Sequence, residues 1–68
     1  MLPAKPFKRL MKHYGAYRVS DDAARYMANY TEKVLSQLIS KAAKLADHAG
    51  RKTILLDDIK LARKQLNL

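Results

Sequence analysis

Sixty-eight residues allow one domain at most, and a core in so short a chain supplies only about 3–5 kcal/mol without a staple. There is no Cys, which excludes a disulfide or a thiolate metal site and leaves association with another chain as the staple, and Leu, Ile, Val and Phe number 16 of 68, too many for a disordered tail. Fourteen Lys and Arg against six Asp and Glu give a net charge of +8, which favours a polyanion, nucleic acid before an anionic membrane.

The first predicted helix spans roughly residues 4 to 14. Pro3 and Pro6 sit at its start, where a missing N–H costs little. Phe7, Leu10 and Met11 follow at helical spacing, Lys8, Arg9 and Lys12 mark the other side, and Gly15 stops it. Ser20 is a good N-cap for the second helix, and Asp21 and Asp22 face the positive end of its dipole. Neither Gly nor Pro interrupts the run to Ala49, and Gly50 offers a left-handed stop. That rod is about 29 residues, or ~43 Å. Asp57 and Asp58 open a third helix with an Ile59, Leu61, Ala62, Leu66 stripe, running to about Gln65. Val19 and Ile54 are candidates for very short strands beside the long helix.

The long helix carries the main inference. Met27, Thr31, Val34, Leu38, Leu45 and Ala49 recur at three and four residues, and Ala28, Leu35, Ile39, Ala42, Ala43 and Ala46 form a neighbouring stripe. Together they exceed the ~100° apolar face of an ordinary surface helix. Two flanking helices of about 11 residues cannot cover them, and soluble proteins avoid large bare apolar patches. The simplest solution crosses two long helices near Leu35 and Leu38, with Met27 and Val34 also in the dimer core. A coiled coil is the alternative, weakened by the small Ala residues of the second half, which suit a close crossing.

Catalysis is not expected. Ser20, His48 and Asp58 make a triad only on paper, without a strained nucleophile turn or a pocket-forming sheet. There is no Gly-rich phosphate loop, and His13 and His48 are the only His in a chain without Cys. No metal, cofactor or small-molecule substrate is therefore expected. No apolar run approaches ~18 residues, so no membrane span is expected. Met1-Leu2-Pro3-Ala4 does not open a signal peptide, so the chain is expected to stay in the cytoplasm, where it is made.

Three segments resemble the archaeal histones: Arg18-Val19-Ser20-Asp21-Asp22-Ala23, Lys44-Leu45-Ala46-Asp47-His48-Ala49-Gly50-Arg51-Lys52-Thr53-Ile54, and Asp57-Asp58-Ile59-Lys60-Leu61-Ala62. The match extends without gaps over almost the whole chain. The resemblance implies an all-α histone fold over residues 1–68, short helix, long helix, short helix, in a head-to-tail handshake dimer. It implies double-stranded DNA wrapped around the dimer edge with little sequence preference. Arg9 is then the first-helix contact, Arg18 the loop arginine that enters the minor groove, and Lys52 and Thr53 the contacts from the second loop. It further implies that Arg51 pairs with Asp58 to pin that loop. Leu45, His48, Asp58 and Leu61 would form a four-helix contact through which homodimers assemble into larger oligomers, with His48 hydrogen-bonded to Asp58 across it.

Some residues depart from that pattern. Tyr17 stands where many relatives carry an acidic residue, and Lys33 and Lys60 also replace often acidic positions, the two lysines weakening attraction between successive turns of a long assembly. Tyr26 and Tyr30 share a face of the long helix, Tyr30 being expected to pack under the first helix and Tyr26 to be more exposed. Two other readings compete. A histone-fold transcription-factor subunit would act as a heterodimer, a pairing with a paralogous histone also being open. A membrane-active peptide would need one continuous amphipathic helix, which Gly15 and Gly50 break.

Overall fold

Three helices in chain order account for the regular structure: α1 (Lys5–His13), α2 (Asp21–His48) and α3 (Leu56–Gln65). The computed structural model describes all of residues 1–68. Each helix begins and ends within one residue of the bounds expected from the pattern. Val19 and Ile54 are irregular rather than strands. A strand exists only through its ladder to another, and neither segment has one within the chain.

Local chemistry sets the helix ends. Pro6 lies in the first turn of α1, and Lys12 and His13 lie in its last turn, beside the negative end of the dipole. Gly15, at φ +110°, then takes the chain out of the helix while Ala16 donates to the Met11 carbonyl at 3.1 Å. At the start of α2, the Ser20 hydroxyl accepts the Ala23 N–H at 3.1 Å. At its end, Gly50 donates to Asp47 and Arg51 donates to Ala46, both at 2.9 Å, with Gly50 at φ +74°. This pair of bonds is the Schellman motif, which satisfies carbonyls that the helix would otherwise leave bare.

The chain comprises two compact units that share α2: residues Met1–Lys33 with α1, and Val34–Leu68 with α3. In the first, Lys8 of α1 forms an ion pair with Asp21 at the start of α2, and Ala24 and Ala28 are closed to solvent. In the second, Ala42, Ala46 and Ala62 are closed. Small side chains at these sites let helices approach closely. The sequence pattern assigns the alanines of the second half to a crossing between two long helices. The structure instead closes Ala42 and Ala46 within one chain, and leaves Ala43 exposed.

No large side chain is fully buried. Leu35 remains 41% exposed and Ile39 57%, in the middle of α2. Met27 is also exposed, while Val34 and Leu38 are half-buried. Leu10, Ile54, Leu55, Leu56, Ile59 and Leu61 add further apolar surface on the short helices and the second loop.

Ala42 tests the closed positions. Ala42→Leu adds three carbons where there is no room, and should lower unfolding stability by about 1–3 kcal/mol in urea titration. An unchanged midpoint would show that the position is open.

Candidate nucleic-acid interface

Cations that lie outside any ion pair define the candidate surface. Arg9, on α1, is exposed and takes part in no hydrogen bond or ion pair. Arg18 is likewise exposed, two residues before the Ser20 cap of α2. Backbone N–H groups at a helix start attract phosphate in general. Here Asp21 and Asp22 occupy that first turn, so carboxylates already complement the dipole. Lys8 neutralises one of them and holds the Asp21 carboxyl below the usual carboxylate range. Arg25 stands 3.8 Å from Asp22. Arg18 therefore supplies the net positive charge of this loop.

The second loop is built around a single arginine. Arg51 Nη1 donates to Asp58 Oδ2 at 2.8 Å, and Nη2 donates to Asp58 Oδ1 at 2.9 Å. Nη1 also donates to the Thr53 carbonyl at 3.0 Å. Asp58 Oδ2 accepts the Leu55 N–H at 2.8 Å. Leucine has no side-chain acceptor, so this is only the returning half of a capping box, carried by the third residue of α3. One guanidinium thus ties the loop backbone to the start of α3. Lys52 and Thr53 lie on that pinned loop with exposed side chains. A bidentate guanidinium–carboxylate pair is stronger and more directional than a lysine pair would be.

Asp58 is only 6% exposed. Its carboxyl is pulled down to about 2 by the Arg51 hydrogen bonds first and the Leu55 N–H second, against the opposing effect of burial. The same pair raises the Arg51 guanidinium. An ionised carboxylate has about four acceptor positions. Three are used within the chain, leaving one on Oδ1.

The residues of the expected contact between dimers are separately placed. His48 closes α2 and is exposed, Leu45 is half-buried, and Leu61 is exposed on α3. Within the chain, His48 and Asp58 form no hydrogen bond; Asp58 is turned to Arg51. Ser20 is likewise committed to capping.

Tyr30 departs from its expected place. It is exposed rather than packed under α1, and with Tyr26, Asn29 and Lys33 it lines a shallow depression on α2. The Lys8–Asp21 pair is one that sequence reasoning misses. Thirteen residues separate the two, and no helical periodicity relates them. The spacing alone groups Lys8 with Arg9 and Lys12 as one basic side.

Comparison with known proteins places this geometry among relatives. Residues 1–62 match the family described as histone-like transcription factor (CBF/NF-Y) and archaeal histone. The chain is 46% identical over 63 residues to one of the subunits of archaeal histone HAN1 from Thermococcus zilligii, covering 93% of this chain and 94% of that protein. It is 41% identical over 61 residues to probable archaeal histone 3 of Methanocaldococcus jannaschii, covering 90% and 91%. A third relative, DNA-binding protein HmvA of the same organism, is 35% identical over 60 residues, which cover 88% of this chain and 62% of that protein.

The Arg51–Asp58 clamp makes stability depend on pH in one direction. The carboxyl is lower in the folded chain than its ordinary 3.8, so its contribution is complete above that value and is lost as pH falls towards about 2. Asp58→Asn should lower the melting temperature at neutral pH and flatten the acid loss over that window, read by circular dichroism. Asp21→Asn, whose carboxyl faces solvent beside Lys8, should change the profile less. Identical acid profiles for Asp58→Asn and the parent would show that the clamp does not set the acid loss.

Proposed function

This chain belongs to the family of histone-like transcription factors (CBF/NF-Y) and archaeal histones and is an architectural DNA-binding protein of the histone fold, and on that premise we propose that two copies intertwine head to tail and wrap double-stranded DNA on their basic edge. The observation that carries the dimer is the bare middle of α2, with Leu35 and Ile39 exposed and no large side chain fully buried. A second α2 crossing there covers Met27, Val34, Leu35 and Leu38 and completes a single domain over residues 1–68. The two copies together carry twice the +8 of one, or +16.

In this reading Arg9 contacts phosphate from the paired first helices, Arg18 enters the minor groove, and Lys52 and Thr53 bind phosphate from the pinned loop. Contacts to phosphate fix position without reading bases, and arginine in an inward-facing minor groove is the general way in which histones hold DNA of any sequence. The role is architectural, without catalysis. No helix is long and apolar enough to cross a membrane, and the chromosome is the site of action.

Dimers then join through Leu45, His48, Asp58 and Leu61, with the free acceptor position on Asp58 Oδ1 receiving His48 of the neighbouring dimer. Lys33 and Lys60 are exposed cations that oppose tight stacking of successive turns, so the assemblies are short or open. One relative is named as a subunit, which supports a variant in which a paralogous histone replaces the second copy.

Two measurements test this function. Dilution should lower the melting temperature, because association is part of stability, and Leu35→Asp should abolish folding. A melting temperature constant over a hundredfold dilution would contradict the dimer. If the dimer neutralises about 6–10 phosphates, affinity for mixed-sequence duplex should fall by roughly 10³–10⁵ between about 50 and 200 mM salt. Arg18→Ala should weaken binding to all sequences alike. A flat salt dependence, or strong preference for one short site, would contradict the architectural reading.

A further inference from the structure

The turn between α1 and α2 carries exposed rings that duplex wrapping does not use. From Met1 to Ser20 there are five Lys or Arg and no Asp or Glu. Within that stretch, Tyr14 is 82% exposed and Tyr17 94%. The His13 ring meets Tyr14 edge-on, with centroids 5.4 Å apart at 87°, so three rings lie within five residues. Lys12 and Arg18 flank them, both exposed and outside any ion pair. Between the tyrosines, Gly15 holds a positive φ, and nothing lies within 4 Å of where its Cβ would stand. The turn is therefore open to a ligand.

Exposed rings beside unpaired cations are the two components of surfaces that hold single strands. Rings stack on base faces, and cations follow the phosphates. A base inside a duplex has both faces covered by its neighbours, so stacking adds nothing there. A second copy of this chain is a poor cover for the turn, because it would set like charges against each other and bury two tyrosine hydroxyls. The depression at Tyr26 and Tyr30 lacks such a run of cations, having Lys33 alone among its lining residues.

We propose that residues 12–18 form a second nucleic-acid site, in which Tyr14 and Tyr17 stack on unpaired bases while Lys12 and Arg18 hold the adjoining phosphates. The site takes single strands, and it extends beyond the duplex edge, with Arg18 common to both. Its natural use is on melted or frayed segments of DNA, where wrapped duplex gives way to exposed bases.

The test compares two labelled probes on the full chain at low salt, oligothymidylate and a mixed-sequence duplex, by fluorescence anisotropy. Stacking on one base changes affinity by roughly five- to a hundredfold. Combined Tyr14→Ala and Tyr17→Ala should weaken oligothymidylate binding at least fivefold and duplex binding less than twofold. Tyr17→Phe keeps the ring and should bind like the parent, whereas dependence on the hydroxyl would overturn stacking. Because the chain has no Trp, quenching of tyrosine fluorescence by oligothymidylate, lost in the Ala variants, reads ring contact directly. Should the double variant melt lower than the parent, Tyr17→Ala alone is compared. Equal losses on both probes, no loss on either, or a parent chain that does not bind oligothymidylate would each overturn the proposal. Failure of the parent on duplex alone would overturn the wrapping role and leave this site standing.

Discussion

A helix of 28 residues is about 42 Å long, and its apolar surface has to be covered by something. Helices of 9 and 10 residues are the only other regular elements in the chain. They close the alanine positions, where a small side chain permits close approach, and leave the larger side chains bare. This mismatch of length is the constraint on which the rest depends. It turns a short, Cys-free chain into half of a core. In the proposed dimer, stability and association form one equilibrium, since each copy's folded state relies on the area the other buries.

The placement of charge follows from how the helices are joined. Both connections are short, and the second is tied by side-chain bonds that hold its backbone to the start of α3. The second is the more tightly made. Arg51 bonds a loop carbonyl and both oxygens of Asp58, and Asp58 in turn holds the Leu55 N–H. Three of the four acceptor positions of Asp58 are filled within that cluster, which lets a largely buried ion pair order the loop at modest cost. Lys52 and Thr53 are left facing outwards because Arg51 faces in. At the first connection, Lys8 offsets Asp21 and so prevents the acidic cap of α2 from cancelling Arg18.

Those features suit a polyanion whose charge is regular and whose sequence varies. In the proposed complex the cations of the two loops contact phosphates, which fixes position without reading bases. The relatives fit that chemistry: two of the three are named as archaeal histones and the third as a DNA-binding protein. The aromatic turn is a local addition to the same scaffold. It changes which nucleic-acid surface can be engaged without altering the helices that carry it.

Much of this was legible from the residues in order. Helix limits depend on interactions between near neighbours, so Pro6, Ser20, Gly15 and Gly50 announce them, and the observed ends differ by a residue. The excess width of the apolar stripe on α2 announces a partner, because it is a property of one helix counted against the length of its neighbours. Tertiary structure decided what periodicity cannot express. Lys8 and Asp21 meet across thirteen residues, and their pairing depends on where α1 lies rather than on any spacing. Ala42 and Ala46 are indistinguishable in sequence from residues of a dimer seam, but the single chain already closes them. Tyr30 and Tyr26 share a stripe, yet only packing could show that α1 leaves Tyr30 uncovered. Local bonding is written in the sequence because its range is a few residues; which apolar surface is buried, and by what, depends on contacts whose partners lie far apart in the chain.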